Sequence, residues 1–190
     1  MRPLAALLAL VLLAACGSVA AAPERMIEKQ GVVKAPIAEV WKAWTTREGV
    51  KSFFAPDANI ELRSGGLYEM HMNPYAEPGM RGADDMRVMA VQEPTMLTFT
   101  WNAPPSQPDI RKQRTMVIVR LKPVDDASTE VTIHHLGWGD GEKWDETYRY
   151  FDRAWGNVLA NLQKRFVDGP IDFTPFLESL KARAAAPAKK

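Results

Sequence analysis

Cysteine is almost missing from this chain. Its 190 residues hold one, Cys16, so no disulfide can form within the chain and stability must come from packing. Charge of one sign is missing too. The formal net charge is +1, with 24 Lys and Arg against 23 Asp and Glu, and one of the basic residues is Arg2. Without a basic field there is no footprint for nucleic acid, and no nucleic-acid partner is expected. Histidine is limited to His71, His134 and His135. The last two are neighbours on a strand and point to opposite faces, so they cannot easily share an ion, and no metal or cofactor is expected. No apolar run reaches the roughly 20 residues a membrane-spanning helix needs.

The longest apolar run, Leu4 to Leu13 behind Met1-Arg2, has the length of a signal-peptide core. Two cleavage readings stand. Leu13-Ala14-Ala15-Cys16 resembles the bacterial lipobox, which implies lipid on Cys16 and an anchor in the cell envelope, at the outer membrane where there is one. Val19-Ala20-Ala21 instead suits an ordinary signal peptidase and a soluble periplasmic product. The sole cysteine at the required position favours the first. Residues 1–22 are therefore read as leader, with the lipobox at 13–16. Residues 23–170 are read as one domain, and 171–190 as a short amphipathic segment and basic tail.

Within the domain the periodicity changes twice. Arg25 to Lys34 reads as a strand. Pro36 opens a helix with Ile37, Val40, Trp41 and Trp44 on one stripe. Thr45 or Thr46 caps a second short helix carrying Val50, Phe53 and Phe54, which Pro56 ends. Period-two alternation follows around Ile60 and Leu62, Tyr68 to Met72, Met86 to Ala90, Leu97 to Trp101, Val117 to Leu121, and Val131 to His135. That pattern means antiparallel strands with one buried face. Residues 123 to 128 read as a hairpin connection, and two longer loops, Asn73 to Gly82 and Ala103 to Asp109, interrupt the series. From Glu142 to Phe166 the apolar steps are three and four, which predicts one long amphipathic helix with Asp140 as its N-cap and Gly169-Pro170 as its stop. The fold class is thus α+β. The long helix is the element able to cover the sheet, and a straight rod across a curled sheet leaves space.

This order of elements resembles the SRPBCC superfamily, which includes START-like and birch-pollen-allergen-like proteins. The motifs that carry the likeness are Pro36 to Trp44, Ser64-Gly65-Gly66-Leu67-Tyr68, Glu93 to Trp101, Thr129 to His135, and Trp155 with Leu159 and Leu162. More narrowly, they resemble homologues of the C-terminal domain of the activator of a heat-shock-protein ATPase, over Met26 to Phe166. The resemblance implies a helix-grip fold, a curved antiparallel sheet wrapped around the long helix, with a hydrophobic pocket between them. It implies no shared catalytic set. A cytosolic heat-shock ATPase is not the expected partner, because an exported chain would not meet it.

The expected pocket walls are Phe54, Met70, Met72, Phe99, Trp101, Phe151 and Trp155, with Tyr68 and His135 as polar groups on the inner face. His135 is either a satisfied core histidine or an orienting group for a ligand. His71 is expected to face outward. Asp84-Asp85 and Asp125-Asp126 are read as solvated carboxylates, and Gly137 to Gly141 as a reversal before the long helix. Three functions fit: binding of a small hydrophobic molecule; cyclase or aromatase chemistry with His135 and Tyr68 as proton carriers; or a surface-acting interaction or chaperone-like module.

Overall fold

A computed structural model describes residues 24–185. The leader, Cys16 and its lipobox lie outside the described residues, as does the end of the tail. Strand β1 (Ile27–Val33) is followed by helices α1 (Ile37–Thr45) and α2 (Arg47–Lys51). Then come β2 (Asp57–Ile60), β3 (Tyr68–His71), β4 (Gly82–Ala83), β5 (Val88–Gln92) and β6 (Met96–Trp101). A one-turn helix α3 (Pro108–Arg111) precedes the long strands β7 (Thr115–Asp125) and β8 (Ser128–Leu136). Helix α4 (Glu142–Asp168) and helix α5 (Thr174–Ala185) complete the described chain.

The strands form an antiparallel sheet in the order β1-β8-β7-β6-β5 and a smaller one in the order β2-β3-β4. The two are stitched together where Tyr68 N donates to Met86 O (2.8 Å) and Val88 N to Gly66 O (2.9 Å). The result is one bent surface. Its concave face carries Phe99, Val117, Val119, Val131, Ile133 and His135, all buried. Helix α4 lies in the bend, 27 residues or about 40 Å long, and turns Phe151, Trp155, Val158, Leu159 and Leu162 inward. This is the helix-grip architecture.

Local chemistry explains the short elements. Thr46, not Thr45, caps α2: its Oγ1 accepts from Gly49 N at 3.0 Å. Thr45 instead donates to Trp41 O. Gly49 must be glycine because a Cβ there would lie 2.2 Å from Lys42 O, so its bare backbone lets α2 dock on α1. Helix α4 ends at Gly169, whose φ of 95° favours glycine.

Several expectations need correction. Helix α2 stops at Lys51, and Phe53 and Phe54 lie in the turn after it. Leu62 falls beyond β2 and is 38% exposed. The strand β7 runs through Pro123 to Asp125, so the hairpin turn is Asp126-Ala127, with an irregular register where proline cannot donate. Asp140 does not cap α4; Gly141 holds that position with no side-chain bond. His71 faces away from the main core but is not in solvent: it is 7% exposed, its ring lying between Asp57 and Glu69 at 4.0 and 3.8 Å. Asp84 is buried rather than solvated. After α4, Ile171 N donates to Ser52 O (2.9 Å) and directs the chain back along the domain. Helix α5 then leaves Phe176 exposed.

Candidate functional site

The grip is not uniformly filled. At one end a cavity of about 510 Å³ opens between α4 and the two long loops. Its inner wall is Phe54, Trp101 and Trp155, three aromatic rings in mutual contact. Phe54 stacks on Trp101 with centroids 5.9 Å apart, and Trp155 meets Trp101 at 5.4 Å and Phe54 at 5.7 Å. Met72 and Phe151 extend this wall. Helix α4 contributes a lane of residues at helical spacing, Tyr150, Ala154, Val158 and Asn161, with Asn157 beside it. The opposite rim comes from Asn73, Met80, Arg81 and Gly82 on one loop and Asn102, Pro104 and Pro105 on the other. Met80 and Tyr150 are exposed while the three wall rings are buried, so the space deepens from a mouth at the loops to an aromatic floor.

The void has a sequence cause. Ala83 and Ala154 are small residues set around it, and Pro104 and Pro105 fix the backbone of the second loop where it turns at the rim. A larger side chain at Ala154 would fill the space.

A buried ion pair holds the rim. Arg111 Nη2 donates to Asp84 Oδ2 at 2.9 Å and to Gly79 O at 2.7 Å, while Nη1 donates to Ala103 O. Both side chains are only 10–11% exposed. Asp84 in turn accepts from Gly79 N and Gly82 N, each at 3.0 Å. One carboxylate and one guanidinium therefore tie the 73–82 loop to the 103–111 segment. Breaking a buried pair by removing one partner costs about 3 kcal/mol.

Asn102 lines the cavity next to this clasp and is 4% exposed. Its Nδ2 reaches Asp84 O only at 3.5 Å, and its Oδ1 has no hydrogen-bond partner. An unpaired buried acceptor is costly, and such groups mark places where another donor fits.

Of the nine sequence-expected wall residues, Phe54, Met72, Trp101, Phe151 and Trp155 border the cavity. Tyr68, Met70, Phe99 and His135 do not; they are fully buried in the packed end of the grip. Tyr68 donates to Trp44 O at 2.7 Å and stacks near Phe99 at 4.3 Å. Burial pushes its hydroxyl far above the ordinary tyrosine range. His135 is enclosed by a chain of bonds. Trp155 Nε1 donates to its Nδ1 (2.9 Å), its Nε2 donates to Thr115 Oγ1 (2.7 Å), and Thr115 donates on to Trp101 O (3.3 Å). The indole N–H can only donate, which assigns the neutral tautomer with the proton on Nε2. Burial lowers the His135 pKa to about 3. So His135 is neutral and satisfied, and acts by fixing the Trp155 indole.

Sequence reasoning missed Arg81, Asn102, Ala154, Val158 and Asn161. The helical members were within reach, since 154, 158 and 161 follow Phe151 at steps of three and four on the same helix face. Arg81 and Asn102 lie in irregular segments and carried no periodic signal.

The fold and cavity define an α+β helix-grip protein with an apolar pocket at the loop end of its long helix. Residues 34–166 match the family described as "Activator of Hsp90 ATPase homolog 1-like protein", and the chain belongs to that family. Among solved structures it is similar to protein MLL2253 from Mesorhizobium loti, with TM-score 0.61 and 17% identity over 77% of this chain and 100% of that one. It is also similar to the Aha1 dimer from Colwellia psychrerythraea, with TM-score 0.59 and 18% identity over 76% of this chain and 98% of that one. A third is CalU16 from Micromonospora echinospora, with TM-score 0.55 and 19% identity over 83% of this chain and 82% of that one. No curated protein matches the sequence.

Proposed function

We propose that the protein binds a small hydrophobic molecule in the cavity at the loop end of α4, and does so in the cell envelope. The observation that carries the binding reading is the cavity itself: about 510 Å³, floored by Phe54, Trp101 and Trp155. That volume lies within the range of small-molecule sites, as does an apolar lining with a few polar groups. The floor rings are already in contact with one another, so a ligand would meet a preformed surface and lose less in ordering it.

Catalysis of the cyclase type is the weaker reading. Its expected proton carriers, Tyr68 and His135, are bonded within the packed core and do not border the cavity. Among the described residues, no carboxylate, imidazole or amine lines the space. ATPase activation, which the family's description names, is not proposed, because residues 1–22 read as an export leader. The envelope location rests on the signal-peptide core and on Cys16 at the end of Leu13-Ala14-Ala15-Cys16.

Native mass spectrometry of protein purified from its own host tests the binding reading. An added mass, released by organic solvent and absent from an Ala154→Trp variant, is the expected result. Wild-type protein that carries no small molecule and takes up none from a lipid extract would overturn it. Intact mass of the same sample tests the anchor, since acylated Cys16 adds the mass of its chains.

A further inference from the structure

The lining of the cavity contains one charged residue, Arg81. Two other arginines, one of them on the same rim, have acid partners. Arg111 is paired with Asp84 at 2.9 Å, and Arg87 with Asp85 at 2.5 Å. Arg81 has no such partner: among the described residues no carboxylate oxygen comes within 4.0 Å of its guanidinium, and its one side-chain bond runs from Nε to Ala76 O at 3.4 Å. Its backbone is held, since Asn73 N donates to Arg81 O at 2.8 Å and the next residue, Gly82, pairs with His71 in the sheet. The side chain is half-buried. A half-buried guanidinium at the mouth of an apolar cavity, with no counter-charge, is a site for an anion. The planar fork of its free nitrogens matches a carboxylate.

From this we propose that the ligand is a carboxylate-bearing amphiphile, its head on Arg81 at the mouth and its apolar body on the floor of Phe54, Trp101 and Trp155. The assignment rests on the binding reading above and narrows it. Cationic ligands are disfavoured because no acid lines the space to receive them. Neutral ligands would leave the Arg81 charge partly desolvated and unpaired. The other lining polar side chains include Asn73, Asn102, Tyr150, Asn157 and Asn161, which are uncharged and can serve hydrogen-bonding groups along the body.

The test compares 11-(dansylamino)undecanoic acid with its methyl ester, which share an apolar body and differ in head charge. Dansyl emission is titrated against the protein at moderate ionic strength. Wild-type protein should bind the acid about tenfold or more tighter than the ester, as a charge-assisted pair predicts. Arg81→Gln should erase that preference by weakening the acid alone, and Arg81→Lys should retain part of it. Equal binding of acid and ester by the wild type overturns the carboxylate assignment and leaves the cavity reading standing. A preference that survives in Arg81→Gln also overturns it. Binding of neither probe overturns both. The wild-type and Arg81→Lys results decide the matter even if Arg81→Gln folds poorly.

Discussion

Trp155 divides the grip into two ends that obey different rules. Behind it, His135, Thr115, Tyr68 and Phe99 are buried and every side-chain donor among them has an acceptor. In front of it, small residues and two irregular loops leave about 510 Å³ unfilled, and Asn102 Oδ1 has no partner. The two ends share the same sheet and the same helix. What differs is how far side chains fill the space between them, and close packing is the property that separates a core from a binding site.

The sharpest way to break this contrast is to remove the residue on the boundary. Trp155→Ala takes a filled ring from the floor and leaves His135 Nδ1 unpaired, so it should cost about 4 kcal/mol in urea unfolding. A cost under about 1 kcal/mol would mean the two ends are not packed differently. Next in size, Asp84→Ala should cost about 3 kcal/mol by stranding the buried Arg111 charge. It should also raise hydrogen exchange at both rim loops together, which a purely local effect would confine to one.

Acid should act through the packed end. In the unfolded chain His135 takes a proton near its ordinary value of 6.5, but the folded protein refuses it until about pH 3. Between those values the unfolded state binds more protons. Stability contributed by the neutral imidazole is therefore complete above pH 6.5 and declines as pH falls towards 3. From pH 7 to pH 5 the loss should be about 2 kcal/mol, measured by urea unfolding at each pH. His135→Asn should be less stable at pH 7 and should show a flatter slope across that window; an unchanged slope would place the acid sensitivity elsewhere. The smallest effect belongs to the open end. Ala154→Leu adds volume to a void rather than to a filled core, so unfolding stability should move by less than about 1 kcal/mol, while dansyl-probe binding should fall at least tenfold. A large loss of stability would show that the space is not free.

The architecture was legible because burial on one face writes its period into the residues. Alternation at Val117 to Leu121 and Val131 to His135 gave β7 and β8, and the three-four steps from Trp144 to Phe166 gave α4. The site was legible only in part. Phe54, Met72, Trp101, Phe151 and Trp155 could be named as inward-facing, but so could Tyr68, Met70, Phe99 and His135, because alternation reports which face a residue takes and not what stands opposite. Whether a bent sheet is filled or open depends on small residues such as Ala83 and Ala154, whose meaning appears only when their neighbours are known. The burial of Asp84 depends on Arg111, 27 residues away, and long-range pairs of that kind leave no local pattern.

The bond from Trp155 to His135 has a bearing on selectivity. An indole pinned through its nitrogen cannot swing aside to admit a bulkier guest, so that wall behaves as a gauge of fixed dimension. Any tolerance for different guests must then come from Met72 and Met80, whose unbranched thioethers can reshape the entrance. A collection of candidate molecules should accordingly sort sharply by the thickness of the part that lies on the rings, and only loosely by the form of the part that sits near the doorway.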